Sequence, residues 1–192
     1  ANSVLQLTFS TGGGFAANQL PDLNQKSTVV AWDSDQDHTG ANADGNREIF
    51  VVDLSACNPA TLPPCPITQV TNTTGGGNNA NRNGSLSDDG RFVVFDSTRD
   101  FAGVSGCTLL DGTTACDNSD NNSEVMLYDR QLAKLTQLTS TTGSSTSSNI
   151  RARISNDGGF ATWQSTRDFS GVLPGGVTCK LADGVTACAN DG

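Results

Sequence analysis

Apolar and polar positions alternate in short bursts along this chain, and the bursts recur. Val29-Val30-Ala31-Trp32-Asp33-Ser34-Asp35-Gln36-Asp37 lines up with residues 92–100 and with residues 160–168, so that Trp32, Phe95 and Trp163 stand 63 and 68 residues apart. Residues 47–53 match 123–129, residues 67–75 match 135–143, and residues 5–12 are a further copy of the last set. Runs of five or six residues rich in Val, Ile, Phe and Trp, bounded by Gly, Asn, Asp and Ser, are strand signals. The pattern predicts four strands per unit: a near 19–23, 82–86 and 150–154; b near 28–33, 91–96 and 159–164; c near 47–53 and 123–129; d near 67–71 and 135–139, with a d-like copy at 4–9. Between a and b, Ser87-Asp88-Asp89-Gly90 and Ser155-Asn156-Asp157-Gly158 supply the left-handed backbone position of a tight hairpin.

Four antiparallel strands at a fixed period are the mark of a propeller blade. The expected fold is all-β, a β-propeller-type repeat of four-stranded antiparallel blades, two full and the rest partial, with disulfide-clipped loops. A single array over 1–192 divides into a d strand and linker (1–16), a first blade (17–79), a second (80–147) and a partial third (148–192). The sequence reaches Asp191-Gly192 where another c strand is due. Three expectations fit: a piece of a longer protein, an open or three-bladed stack completed by its own N-terminal strand, or strand exchange between copies.

Composition suits that architecture. With 35% hydrophobic and 6% aromatic residues, the chain has too little apolar material for one thick core but enough for narrow layers between small sheets. The net charge of −9 repels phosphate backbones and anionic membranes, so the expected partners are proteins or copies of the chain. No apolar stretch approaches the roughly 18–20 residues of a membrane span. Ala1-Asn2-Ser3 reads as a terminus left after removal of a signal peptide, although a trimmed chain would look the same. Six cysteines fall into close pairs, Cys57 with Cys65, Cys107 with Cys116 and Cys179 with Cys188. These separations favour three local disulfides and a secreted, extracellular or periplasmic protein.

The repeat resembles the TolB-like propeller family, secreted bacterial type. The resemblance is carried by Leu86-Ser87-Asp88-Asp89-Gly90-Arg91-Phe92-Val93-Val94-Phe95-Asp96-Ser97, by Asp44-Gly45-Asn46-Arg47-Glu48-Ile49-Phe50-Val51-Val52-Asp53 and by Leu135-Thr136-Gln137-Leu138-Thr139. Its first b–c loop, residues 37–46, fits the Asp-x-x-Gly-x-Asn-x-Asp-Gly-Asn form; the two later loops depart by Cys-bracketed insertions. The resemblance implies fold and little else, because propellers host many activities.

Candidate chemistry is sparse. The best candidate is the acidic loop with Asp33, Asp35, Asp37, Asn42 and Asp44, whose oxygens could serve calcium, a cation that takes six to eight oxygen ligands. The competing reading is a turn in which Asp and Asn cap their own backbone. Arg99-Asp100, echoed by Arg167-Asp168, reads as a structural clamp, and Trp32, Phe95 and Trp163 as core between blades. No Gly-x-Ser-x-Gly elbow is present, and His38, the sole histidine, has no evident nucleophile partner, so catalysis is not expected. The expected function is a non-catalytic structural or protein-interaction module that self-assembles by strand exchange; the alternatives are a calcium-dependent or carbohydrate-binding propeller and the propeller part of a larger secreted hydrolase.

Overall fold

The computed structural model describes residues 4–9, 18–58, 60, 65–75, 81–143, 149–167, 169, 172–173 and 177–178. A first sheet runs β1 (Asn18–Leu23), β2 (Val29–Ser34), β3 (Glu48–Asp53) and β4 (Ile67–Gln69), each antiparallel to the next. A second contains β5 (Asn81–Leu86), β6 (Phe92–Ser97), β7 (Thr108–Leu109), β8 (Glu124–Asp129) and β9 (Lys134–Gln137) in the spatial order β5-β6-β8-β9-β7. β10 (Asn149–Ile154) and β11 (Ala161–Ser165) pair as the start of a third, and β12 (Val172–Leu173) and β13 (Val177–Thr178) form a small hairpin. A single 3-10 turn, Leu54–Ala56, interrupts the otherwise all-β order of the described residues.

Strand periodicity sends alternate side chains to opposite faces, so each complete sheet is apolar on both. Val29, Ala31, Ile49 and Val51 leave the first sheet to meet Leu86, Val93, Phe95, Met126 and Leu135 of the second. The other face of the second sheet sends Val94, Val125 and Leu138 against Ala152, with Ile154, Ala161 and Trp163 packed around them. Sheets of this strand order, stacked face to face, are propeller blades. Phe95 is therefore interblade core at 0% exposure, and Trp163 is half-buried in the next layer. Trp32 lies on the outer face of the first blade with Phe50, Val52 and Cys65, covered in part by Leu7.

Two devices set the spacing of the blades. In the a–b hairpins, Gly90 and Gly158 sit at φ +70° and +73°, and a Cβ there would come within 2.5 Å of Val29 and 2.6 Å of Phe92 on the preceding blade. Only glycine satisfies both the backbone and the approach. Each a strand also carries a register shift with one residue at positive φ, Leu20, Asn83 or Arg151. That bulge turns the Asn83 N–H toward Asp33 (3.3 Å) and the Arg151 N–H toward Asp96 (3.1 Å), again across the blade boundary.

Two features differ from the sequence expectation. Residues 4–9 form no strand, because both long edges of β3 and β8 are already paired and no other c strand is at hand among the described residues. β7 was not foreseen. The Cys107–Cys116 disulfide closes a hairpin, Leu109 N–H donating to Thr114 O at 2.7 Å, and that hairpin folds back to run parallel to β9.

Of the three expected disulfides, two are formed within the described residues. Cys57–Cys65 closes the c–d loop of the first blade, and Cys107–Cys116 the b–c loop of the second. The third expected pair, Cys179 with Cys188, lies outside the described residues, as does Asp168 of the second Arg-Asp clamp.

Candidate functional site

The most elaborate chemistry of the chain is a carboxylate latch, built twice. Glu48 opens β3 and is 0% exposed; its Oε1 accepts the Thr73 N–H and the Thr73 hydroxyl, both at 2.7 Å, and its Oε2 accepts the Asn81 amide at 2.8 Å. Glu124 opens β8 and is 1% exposed; its Oε1 accepts the Thr141 N–H at 2.6 Å and the Thr141 hydroxyl at 2.7 Å. Glu124 Oε2 takes the Asn149 amide at 3.0 Å and the Thr139 hydroxyl. The threonines follow strand d of the same blade, whereas Asn81 and Asn149 open strand a of the next. Ser97 and Ser165, at the ends of the next b strands, then donate to the Oδ1 atoms of Asn81 (2.7 Å) and Asn149 (2.6 Å). Each latch thus ties three strands of two blades to one buried carboxylate. Burial pushes both glutamates above the usual carboxylate range, against the pull of the donors around them.

Sequence reasoning missed these residues. The signal was present as a fixed spacing, Thr71 to Asn81 and Thr139 to Asn149, ten residues each, but the Thr- and Gly-rich stretch between read only as a connection.

The five candidate metal ligands are not gathered at one point. Asp33 is 0% exposed in β2, beside the Arg47 guanidinium at 3.4 Å, and desolvation raises its pKa to about 6. Asp37 accepts the N–H groups of Thr39 (3.3 Å), Gly40 (2.7 Å) and Asn42 (3.1 Å), which hold it below the usual range. Asn42 donates to Asn46 O at 2.9 Å, Asp44 accepts the Gly75 N–H at 3.0 Å, and Asp35 accepts from the Gln36 side chain at 2.7 Å. The second blade repeats the scheme: Asp100 accepts the N–H groups of Ala102 and Asn118, Asn118 donates to Asn122 O, and Asp120 accepts the Gly143 N–H. Alternating Asp and Asn here stitch the b–c loop to its own backbone and, through Asp44 and Asp120, to the connection that follows strand d. Among the described residues no three His, Cys, Asp or Glu side chains are arranged to hold a metal ion. Arg99 binds the Gly75 carbonyl of the preceding blade, so it reaches across the blade boundary, whereas Asp100 stays within its own b–c loop.

His38 packs edge-on against Phe50 (5.0 Å) and Trp32 (5.9 Å), the position that Phe101 takes against Phe95 and Phe169 against Trp163. Its Nε2 meets Asn18 Oδ1 at 2.8 Å and Ser34 Oγ at 3.2 Å. Ser34 also accepts the Gln36 N–H, as Ser97 and Ser165 accept those of Arg99 and Arg167, so its hydroxyl serves the loop whether or not a histidine is near. Beside this pair lies a cavity of about 160 Å³ lined by Leu7, Thr8, Asn18, Pro21, Val30 and Trp32.

No family model and no curated protein matches the chain. Among solved structures it is similar to TolB from Acinetobacter baumannii, at 18% identity and TM-score 0.46, over 79% of this chain and 28% of that one. A candidate TolB from Agrobacterium tumefaciens is similar at 15% identity and TM-score 0.49, over 83% and 42%. The β-propeller domain of the Trilobed protease from Pyrococcus furiosus is similar at 12% identity and TM-score 0.43, over 78% and 34%. By its own strand order and stacking, the chain is a propeller-type blade array. It spans less than half the length of each of these structures, and what those whole proteins do is not carried over to it.

Proposed function

We propose that the chain is a secreted, non-catalytic blade array that works by binding other β-sheet surfaces, copies of itself included, through the open faces at the ends of its stack. One observation carries the reading. Phe160 stands where Val29 and Phe92 stand in the first two blades; those two lie under the hairpin glycine of the next blade, whereas Phe160 is 73% exposed. Thr162 and Gln164 beside it are exposed too, while their counterparts Val94 and Asp96 are 0% exposed. A face that is sealed twice by a like neighbour and then left open has the shape and polarity to take a third. The acidic surface and the disulfides support an extracytoplasmic setting and protein partners. The expected result is concentration-dependent association in light scattering coupled to size exclusion, shifted toward monomer by Phe160→Asp. A monomer at every concentration, indifferent to that substitution, overturns self-association.

Calcium binding is a second reading, favoured by the buried Oδ1 atoms of Asn42, Asn46, Asn118 and Asn122, none with a hydrogen-bond partner. Its test is melting temperature against free calcium, since a cation that binds the folded chain alone raises it. No rise at millimolar calcium sinks it and leaves those oxygens to buried water.

A further inference from the structure

Each complete blade presents a main-chain edge at its outer strand, and the two blades treat that edge differently. Val70 N–H donates to Ile49 O in the first blade and Leu138 N–H to Val125 O in the second, both at 2.8 Å. Pairs along an antiparallel ladder alternate between bonded and unbonded. Gln69 and Gln137, one residue earlier, therefore turn their backbone N–H and C=O away from β3 and β8. In the second blade β7 meets that edge, running parallel with Leu109 beside Gln137. The Gln137 side chain then holds the exit of the hairpin: Oε1 accepts the Asp117 N–H at 3.0 Å, and Nε2 donates to the Asp117 carbonyl at 2.9 Å. The first blade keeps the glutamine without the hairpin, because Glu48 follows Ser34 by 14 positions whereas Glu124 follows Ser97 by 27. Gln69 Oε1 accepts the Thr39 hydroxyl at 2.7 Å, but Gln69 Nε2 is buried with no partner. Among the described residues β4 pairs with β3 alone.

We infer that the outer edge of β4 is a docking site for a β-hairpin of another polypeptide, its leading strand parallel to β4 and a carbonyl at its exit received by Gln69 Nε2. Neighbouring blades stack on the faces of a sheet, so this rim edge is open whatever precedes or follows the first blade. The site is also separate from the open faces of the proposed function. The second blade defines the occupant, since the equivalent edge is held there by a hairpin closed by Cys107–Cys116. An edge of three residues gains little from main-chain pairing alone, so the partner that binds is one already folded, with little ordering left to oppose it. A second copy does not fit: its own hairpin is held on β9, and two β4 edges related by a two-fold axis would run antiparallel.

The test uses the whole chain and a labelled synthetic peptide of residues 103–118, closed by its own disulfide. Fluorescence anisotropy should show saturable one-to-one binding, weaker for the reduced peptide, which must fold as it binds. Gln69→Leu should weaken binding by roughly tenfold or more, because a buried carbonyl loses its donor. The same substitution should leave the melting temperature unchanged, because the bond it removes, from the exposed Thr39 hydroxyl, passes to water. The outward Gln69 N–H should exchange freely in the chain alone and slowly with peptide bound. No saturable binding, equal binding of closed and reduced peptides, indifference to Gln69→Leu, or an unprotected Gln69 amide overturns the inference. Protection of that amide by raising the chain concentration without peptide assigns the edge to a second copy and overturns it as well. Phe160→Asp should leave peptide affinity unchanged. If the peptide fails while Phe160-dependent association persists, the rim site is wrong and the proposed function stands. If the peptide binds to a chain that stays monomeric, the rim site stands and self-association falls.

Discussion

At the scale of single residues, the chain divides its carboxylates by environment. Asp33, Asp96, Glu48 and Glu124 are buried, and desolvation raises all four, Asp33 to about 6. Asp37, Asp53, Asp89, Asp129 and Asp157 are held below the usual range by backbone or side-chain donors, and Asp111 is lowered to about 2 by Thr114 and Thr113. The first group contributes stability that is complete below the unfolded value near 4 and is lost as pH rises through the folded value. The second contributes stability present above about 4 and lost as pH falls below it. Stability should therefore peak near pH 4–5 and decline toward neutrality, which denaturant melts from pH 3 to 8 will read. Asp33→Asn should flatten part of that decline, since a carboxyl lifted from about 4 to about 6 at a fully buried site corresponds to about 3 kcal/mol; a wild-type curve rising from pH 4 to 7 would contradict this. Glu124→Ala should cost about 2–4 kcal/mol near pH 4 and less toward neutrality, since it strands the Thr141 and Asn149 donors but also removes a carboxyl whose ionisation burial opposes. Little of this was legible in the sequence. Asp and Asn on alternate positions look alike whether they ligate a cation or cap a loop, and the partners that decide between the two, the N–H groups of Thr39, Gly40 and Asn42 for Asp37, become visible only once the backbone turns.

At the scale of elements, the strands were legible because each is a short apolar run between turn residues, and the run survives in every copy. What the runs did not show is how far one blade stands from the next. The hairpin glycines set that distance, and they make a clean comparison. Gly90→Ala places a Cβ at φ +70° within 2.5 Å of Val29, whereas Gly112→Ala at φ +72° meets nothing within 4 Å. Both substitutions bear the left-handed backbone penalty of roughly 1–2 kcal/mol. Gly90→Ala alone also forces the blades apart, and should cost roughly 1–3 kcal/mol more in chemical denaturation. Equal losses would mean that the hairpin does not seat on the neighbouring blade. In the first blade this position is Ser27, at φ 55° and exposed, so a copy cannot seat its Phe160 there as Val29 and Phe92 seat under their glycines, and self-association must bring Phe160 faces together.

At the scale of the whole molecule, the thin apolar supply is spread over separate layers, and the covalent clips matter in proportion. Cys107 and Cys116 are 5% and 2% exposed and belong to the layer between the first and second blades, with Phe95 and Phe101, so their bridge joins loop to core. Cys57–Cys65 instead closes a loop against the outer face of the first blade, where Cys65 meets Trp32 and Phe50. Sequence spacing indicated both bridges without distinguishing their settings, because burial depends on which face of which sheet each loop folds over. Loop closure over eight or nine residues contributes about 2.5 kcal/mol by chain entropy in either case. The double substitution Cys107→Ser with Cys116→Ser should exceed that figure, since it also sets two hydroxyls into the interblade layer. Cys57→Ser with Cys65→Ser disturbs only the outer cluster, so its cost should stay nearer the entropic value. Thermal unfolding of the two double variants, with the wild type under reducing conditions as reference, checks the order. If the two bridges prove equal, the layer between the blades is not where the stability of the array resides.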